Sequence, residues 1–393
     1  MKIEYQKNVI CSYSYSFWSF FGITSLWVIY LQQQGLSLVE IGLCESIFHL
    51  ASFLFELPSG VLADRFSYKS VLIAGRIMAI TSAAIMLIGG SFWVYAGGFV
   101  LSAFSYNLQS GTLEALIYDS LLERQQNEFY PQIAAHLNMI FEFADTSGVV
   151  LAGLLVHWHF GLTYVIEILI SCLALFSVLL VREPTLLSKL PKKQPAAVST
   201  SQILLASWKV LQQQPQLRNL MIFQALFDAI CTSYYFYFQT LMENKNFTGW
   251  LISAVLVLAA VINIFAMQFA PHIKAKFAVS TLMIWLAASL LILVTCWFNQ
   301  LPILLGIFLL VQALSSISEP IFSSYYNETI PSEQRATLLS VASVFFSLSM
   351  VVIFPLLGWL IEKMSFAAAF GSLGGLLLLL LGGIWIRNQI VVD

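Results

Sequence analysis

Five stretches of this sequence place acidic and amide side chains at helical spacing inside long apolar runs. Glu45, His49, Ser52 and Glu56 stand at i, i+4, i+7 and i+11. Those steps return to nearly the same angle on a helix of about 3.6 residues per turn. Asn107, Gly111, Glu114 and Tyr118 repeat the spacing, as do Gln224, Asp228, Cys231 and Tyr235. Gln312, Ser316, Glu319, Ser323 and Tyr326 form a fourth stripe, and Asn138, Glu142 and Asp145 follow the same rule. An ionisable group in an apolar helix is costly and normally faces a bundle interior or a water-filled cavity. Carboxylates so placed can hold protons or cations. The candidate substrate- or proton-binding residues are therefore Glu45, His49, Glu56, Glu114, Glu142, Asp145, Asp228 and Glu319. Tyr13, Asn107, Tyr118, Gln224, Tyr235 and Gln312 are candidates for lining the same cavity.

Each has a blander reading. His49 alone is more often an interhelical hydrogen-bonder than a proton carrier, and Asp119 lies near a span end where a carboxylate reaches water. Tyr13, Phe17, Trp18, Tyr234, Tyr235 and Tyr237 suit an aromatic pocket, but also packing and interface anchoring. Glu56, Glu114, Asp228 and Glu319 are harder to explain away, because each lies deep in its run with no basic residue placed to neutralise it. Cys11, Cys44, Cys172, Cys231 and Cys296 sit in apolar runs without metal or CxxC spacing. They read as small packing residues, so neither a metal nor a cofactor is called for. A net charge of −2 without a basic tract points away from nucleic acid.

The elements that must position these groups are membrane helices. Of the 393 residues, 59% are hydrophobic and 10% charged, and the mean hydropathy is +0.84. A soluble domain needs roughly a quarter of its residues charged, so the solvent of this chain is lipid. Predominantly apolar segments lie near 9–31, 39–62, 70–89, 92–121, 133–157, 161–181, 219–242, 248–270, 277–297, 301–325, 338–361 and 366–386. The first lacks a cleavage site of signal-peptide type and reads as a span. An all-α integral membrane protein with twelve transmembrane helices follows. The extended polar stretch between spans six and seven divides it into a six-helix bundle at 1–183, a cytoplasmic linker at 184–217 and a second six-helix bundle at 218–393. With both termini cytoplasmic, only Lys245 and Lys363 of the eighteen basic residues fall outside, as the positive-inside rule requires. All the others, Arg76 included, are assigned to the cytoplasmic side, and none to mid-membrane.

The halves echo each other. Residues 36–42 open span two and 247–253 open span eight, while 150–155 sit opposite 355–360 at a similar offset. Parallel six-span repeats with a site at their interface are one transporter plan. Spans three, nine and twelve carry no mid-helix charge and span six only Glu167, which implies a central polar cavity ringed by bland outer helices.

The turn after span two reads Glu56-Leu57-Pro58-Ser59-Gly60-Val61-Leu62-Ala63-Asp64-Arg65-Phe66-Ser67-Tyr68-Lys69. It resembles the major facilitator signature G-x-L-A-D-R-x-G-R-K, matching at Gly60, Leu62, Ala63, Asp64, Arg65 and Lys69 and departing at Ser67 and Tyr68. The segments 110–121 and 335–340 resemble a poorly characterised prokaryotic branch of that superfamily. The resemblance implies the major facilitator fold, two pseudo-symmetric six-helix bundles, and a cytoplasmic gate at Gly60, Asp64, Arg65 and Lys69. The missing basic residue at Tyr68 implies a weaker latch. The antiporter motif of span five survives only as small residues, at Ala144, Gly148, Val149, Ala152 and Gly153.

The expected function is secondary active transport: a proton-coupled exporter of a cationic or neutral amphiphile, monomeric, in the cell membrane. Cavity carboxylates without a fixed cation favour such cargo. A proton-coupled nutrient importer is the alternative. A membrane-embedded enzyme would need a nucleophile–base pair or metal cluster, and a non-transporting sensor would leave the deep carboxylates without a purpose.

Overall fold

Among the described residues the twelve apolar segments become twelve helical spans, several of them interrupted. The computed structural model describes residues 7–184, 212–330 and 332–390, with side chains described except over 56–65, 332–337 and 380–390. Most of the linker at 184–217 and the side chains of Glu56, Gly60, Asp64, Arg65 and Arg335 lie outside the described residues.

Span one is two helices, α1 (Lys7–Ser19) and α2 (Trp27–Gln33). Span two is α3 (Leu38–Arg65) and span three α4 (Tyr68–Ile88). Span four is split into α5 (Phe92–Gln109) and α6 (Thr112–Leu122). Spans five and six are α7 (Tyr130–Leu155) and α8 (Leu162–Leu179). Then come α9 (Pro215–Asn244), α10 (Gly249–Met267), the short α11 (Ala270–Lys276) and α12 (Val279–Ser289), which runs on as a 3-10 helix over Leu290–Phe298. Spans ten to twelve are α13 (Leu301–Thr329), α14 (Ser332–Met364) and α15 (Phe366–Ile390).

Local chemistry sets the ends and breaks. Pro lies in the first turn of α7, α9, α11 and α13, where its missing N–H costs nothing and its φ is already helical. A capping box starts α3: Ser37 Oγ accepts from Glu40 N, and Glu40 Oε2 accepts from Ser37 N. Ser67 is the N-cap of α4, its side chain accepting from Ser70 N. Gly111 splits span four because it holds φ +75°, a conformation glycine takes without a Cβ penalty.

The chain forms two compact units. The first is Met1–Gly35, Ile47–Thr200 and Phe247–Val257; the second is Leu36–Ser46, Ser201–Asn246 and Leu258–Asp393. Each therefore takes a short helical segment from the other half of the sequence. In the first unit α4 packs between α5 and α8, and α1 lies against α7 and α8. In the second, α9 packs on α13 and α14, while α15 covers the 3-10 helix of span nine.

The echoed segments are the ones that meet within each unit. In the second unit the start of α3 lies on α14, Gly42 touching the backbone of Pro355 and Gly358 facing the Leu38 carbonyl. Ser46 Oγ donates to Val351 O at 3.0 Å, Tyr237 OH to Phe354 O at 2.8 Å, and Leu38 N to Glu362 Oε1. In the first unit the start of α10 lies on α7: Gly249 abuts Gly153, and Ser253 Oγ donates to the Val149 and Val150 carbonyls at 3.2 Å. Small residues permit this approach, and contact at van der Waals distance is what drives helix association in lipid.

Candidate functional site

The second unit gathers most of its predicted groups. On α9, Gln224 and Asp228 are one turn apart, and Gln224 lies beside the Asp228 carboxylate. From α13, Tyr326 OH donates to Gln224 Oε1 at 2.6 Å. Glu319, exposed on α13, is within electrostatic reach of Asp228. Pro320 follows it inside the helix and removes one backbone donor, which frees the Ser316 carbonyl beside the site. Tyr235 stacks on Phe308 with centroids 5.9 Å apart. Asn263 was not foreseen as part of this group. With its amide nitrogen turned toward α13, it donates to Gln312 O and Ser316 Oγ, each at 3.2 Å. Glu45, at the α3 start in the same unit, lies within reach of Tyr237.

The first unit builds a second polar and aromatic face from α1, α6 and α7. Tyr13 OH and His136 Nδ1 are 3.3 Å apart. Tyr118 meets Tyr130 edge-on at 5.4 Å, and Phe17 lies 6.3 Å from Phe143. Glu114 stands in the first turn of α6, just past Gly111, where the helix dipole favours a carboxylate. It is exposed and within reach of Tyr130. Glu142 is exposed on α7.

Other predicted residues are held in the framework. Asn107 is buried in a reciprocal pair with Ser52: its Nδ2 donates to Ser52 O at 2.6 Å, and Ser52 Oγ donates to its Oδ1 at 2.8 Å. Asp145 accepts from Ser25 Oγ at 3.3 Å and sits against Gly22, so it fastens the break in span one to α7. His49 is buried edge-on to Phe48.

The signature turn has a defined role at Lys69. Its Nζ donates to Leu179 O at 2.7 Å and Val181 O at 3.1 Å, capping the end of α8. The Glu183 carboxylate in turn accepts from Tyr68 N and Lys69 N at the start of α4. Tyr68 OH donates to Asp119 Oδ2 at 2.9 Å, so the tyrosine standing where a basic residue is usual still engages a carboxylate.

One expectation is corrected. The basic residues do not all lie at the membrane edge, and span three is not free of charge. Arg76 is the ninth residue of α4, roughly 12 Å along it at 1.5 Å per residue, and is only 5% exposed. Its Nη2 donates to Gln109 Oε1 at 2.7 Å and to Ser105 Oγ at 3.3 Å. Glu167 on α8 lies within its electrostatic reach. The bland helices of the first half therefore enclose a cation and a carboxylate.

Each unit is thus closed by small-residue contacts between helices distant in sequence. The chain belongs to the Major Facilitator Superfamily, whose model matches residues 9–276 and 239–390. It is a multi-pass membrane transporter of that family. It is 23% identical over 326 residues to an uncharacterized MFS-type transporter, YxaM of Bacillus subtilis (strain 168), covering 81% of this chain and 79% of that one. Among solved structures, the nucleoside transporter NupG is 13% identical, with 98% of each chain covered and a TM-score of 0.69. The peptide transporter POT in complex with sulfate is 14% identical, covering 99% of this chain and 96% of that one, with a TM-score of 0.71. A D-xylose-proton symporter is 13% identical, with 94% of each chain covered and a TM-score of 0.62. At these identities the likeness speaks for the fold.

Proposed function

We propose that this chain is a proton-coupled secondary transporter of a cationic or neutral small molecule. It acts as a monomer by alternating access in the cell membrane, with both termini cytoplasmic. The cluster of Gln224, Asp228, Glu319 and Tyr326 is the observation that supports the reading. Two carboxylates stand within electrostatic reach of one another on facing helices. Among the described residues neither is paired with a lysine or arginine. Such a pair holds a proton or a cation but not both at full strength, which is the exchange that coupling needs. One charge moved through 100 mV is worth about 2.3 kcal/mol, enough to sustain a concentration ratio of roughly fortyfold. The argument against anionic cargo applies to this cluster, since Arg76 places a cation in the first unit.

Export is the direction that what remains of the span-five antiporter motif, the small residues Ala144, Gly148, Ala152 and Gly153, supports. Import is the reading that the D-xylose-proton symporter, a protein of similar fold, supports. Proteoliposomes with an imposed pH gradient separate the two. Organic cations, neutral amphiphiles, sugars and nucleosides are offered in turn, and flux is followed against the gradient direction. Uptake opposite to proton flow supports export, and uptake alongside it supports import. Flux that ignores the pH gradient but follows a sodium gradient overturns proton coupling.

A further inference from the structure

Arg76 is a charged group in an unusual place. A guanidinium inside a membrane bundle is costly unless it is compensated; the Glu167 carboxylate on α8 lies within its electrostatic reach, while its hydrogen-bond partners are neutral. They are Gln109 Oε1 and Ser105 Oγ, with the Tyr15 ring centroid 5.6 Å away. Its Nε has no partner among the described residues. The acceptor it uses is shared, because Tyr15 OH also donates to Gln109 Oε1, at 3.0 Å. One amide oxygen thus ties α1, α4 and α5 together.

The position of that oxygen gives the arrangement a use. Gln109 is the last residue of α5. Ser110 and the left-handed Gly111 follow, and α6 restarts at Thr112 with Glu114 in its first turn. Tyr15 lies within electrostatic reach of Arg76 on one side and Glu114 on the other. The body of α6 is held by contacts of its own, Tyr68 OH on Asp119 and Asn8 Nδ2 on Ser120, so what the glycine break leaves to outside contacts is the end of α5. Removing Arg76 alone leaves the Glu167 carboxylate without that cation and Gln109 Oε1 with Tyr15 OH as its donor, so Arg76→Met tests the charge and the tie together.

We propose that Arg76 is a positioning residue for Glu114: by holding Gln109 it fixes the angle of the α5–α6 break and so the place of Glu114. The inference rests on the reading of Glu114 as a substrate- or proton-binding group.

The test measures the break directly. Spin labels are placed at Trp93→Cys and Leu122→Cys, two exposed positions near the outer ends of α5 and α6. Cys11, Cys44, Cys172, Cys231 and Cys296 are replaced beforehand. At 1.5 Å per residue the two helices span roughly 40 Å end to end, a distance pulsed electron resonance resolves. The parent and Arg76→Lys should give one narrow distance population, and Arg76→Met should lose it for a broad or shifted one. An unchanged distribution in well-folded Arg76→Met overturns the proposal, as does a broadened one in well-folded Arg76→Lys. Should Arg76→Met not survive purification, Gln109→Leu cuts the same connection from the other side. It must show the same loss, and an unchanged distribution there also overturns the proposal. The measurement needs neither substrate nor protons, so its failure leaves the reading of Glu114 standing. A Glu114→Gln variant with normal gradient-driven transport would instead remove that reading and leave the helix angle measured.

Discussion

The Tyr326 hydroxyl donates to Gln224 Oε1 at 2.6 Å, joining α13 to α9 one turn away from Asp228. The bond fixes which face Gln224 presents to that carboxylate. Tyr326→Phe keeps the ring and removes the donor. A hydrogen bond of this kind contributes about 1 kcal/mol, so substrate binding should weaken about fivefold. Equilibrium binding to purified protein measures it, and the thermal midpoint should fall by no more than the equivalent of about 1 kcal/mol.

The carboxylates separate coupling from polarity. Asp228→Asn, Glu319→Gln and Glu114→Gln each fix a neutral side chain in place of one that can gain or lose a proton. At least one should abolish gradient-driven accumulation and keep counterflow, since exchange needs the alternating motion but no net proton movement. Both fluxes are measured on the same vesicles. If all three variants, together with Glu56→Gln, accumulate substrate as the parent does, coupling through these groups is wrong.

The glycines offer a paired stability measurement. A Cβ on Gly249 would meet the Gly153 carbonyl and lie 2.8 Å from Val156 Cγ1. Overpacking of this kind costs about 1–3 kcal/mol, so Gly249→Ala should lower the thermal midpoint. At Gly97 on α5 nothing lies within 4 Å of the added atom. There, alanine's better helix propensity should leave the midpoint unchanged or raise it by the equivalent of about 1 kcal/mol.

Ser67 stands where the family signature carries glycine, and it caps α4. Ser67→Ala should cost about 1 kcal/mol, whereas Ser67→Gly should cost only a few tenths. Thermal unfolding in detergent ranks the two. Equal losses would show that the Ser70 N–H finds another acceptor.

The spans were legible because lipid demands long apolar segments, and each left one. The stripe of Gln224 and Asp228 and that of Glu319 and Tyr326 were legible because helical spacing gathers each on one side of its own helix; that α9 and α13 face each other was not. Arg76 was not. A basic residue two turns inside a helix looks like a flanking charge until the start of α4 is fixed at Tyr68. Asn263 has no stripe partner on its own helix, so nothing in the spacing marked it. The break at Gly111 was hidden by its own regularity, since Asn107, Gly111 and Glu114 fit an unbroken helix. Only the φ of +75° reveals the turn.

The contact between Leu38 and Glu362 sets an order of events during synthesis. The start of α3 enters the bilayer early, but the carboxylate that caps it is made 324 residues later. Until α14 arrives, Gly42 and Ser46 have only lipid or the insertion machinery beside them, and the first backbone amides of α3 lack that acceptor. A nascent chain stalled after α8 would display this unfinished surface, a ready mark for membrane quality-control proteases. Completing α14 covers it, so the surface of the second span is finished only when the eleventh is in place.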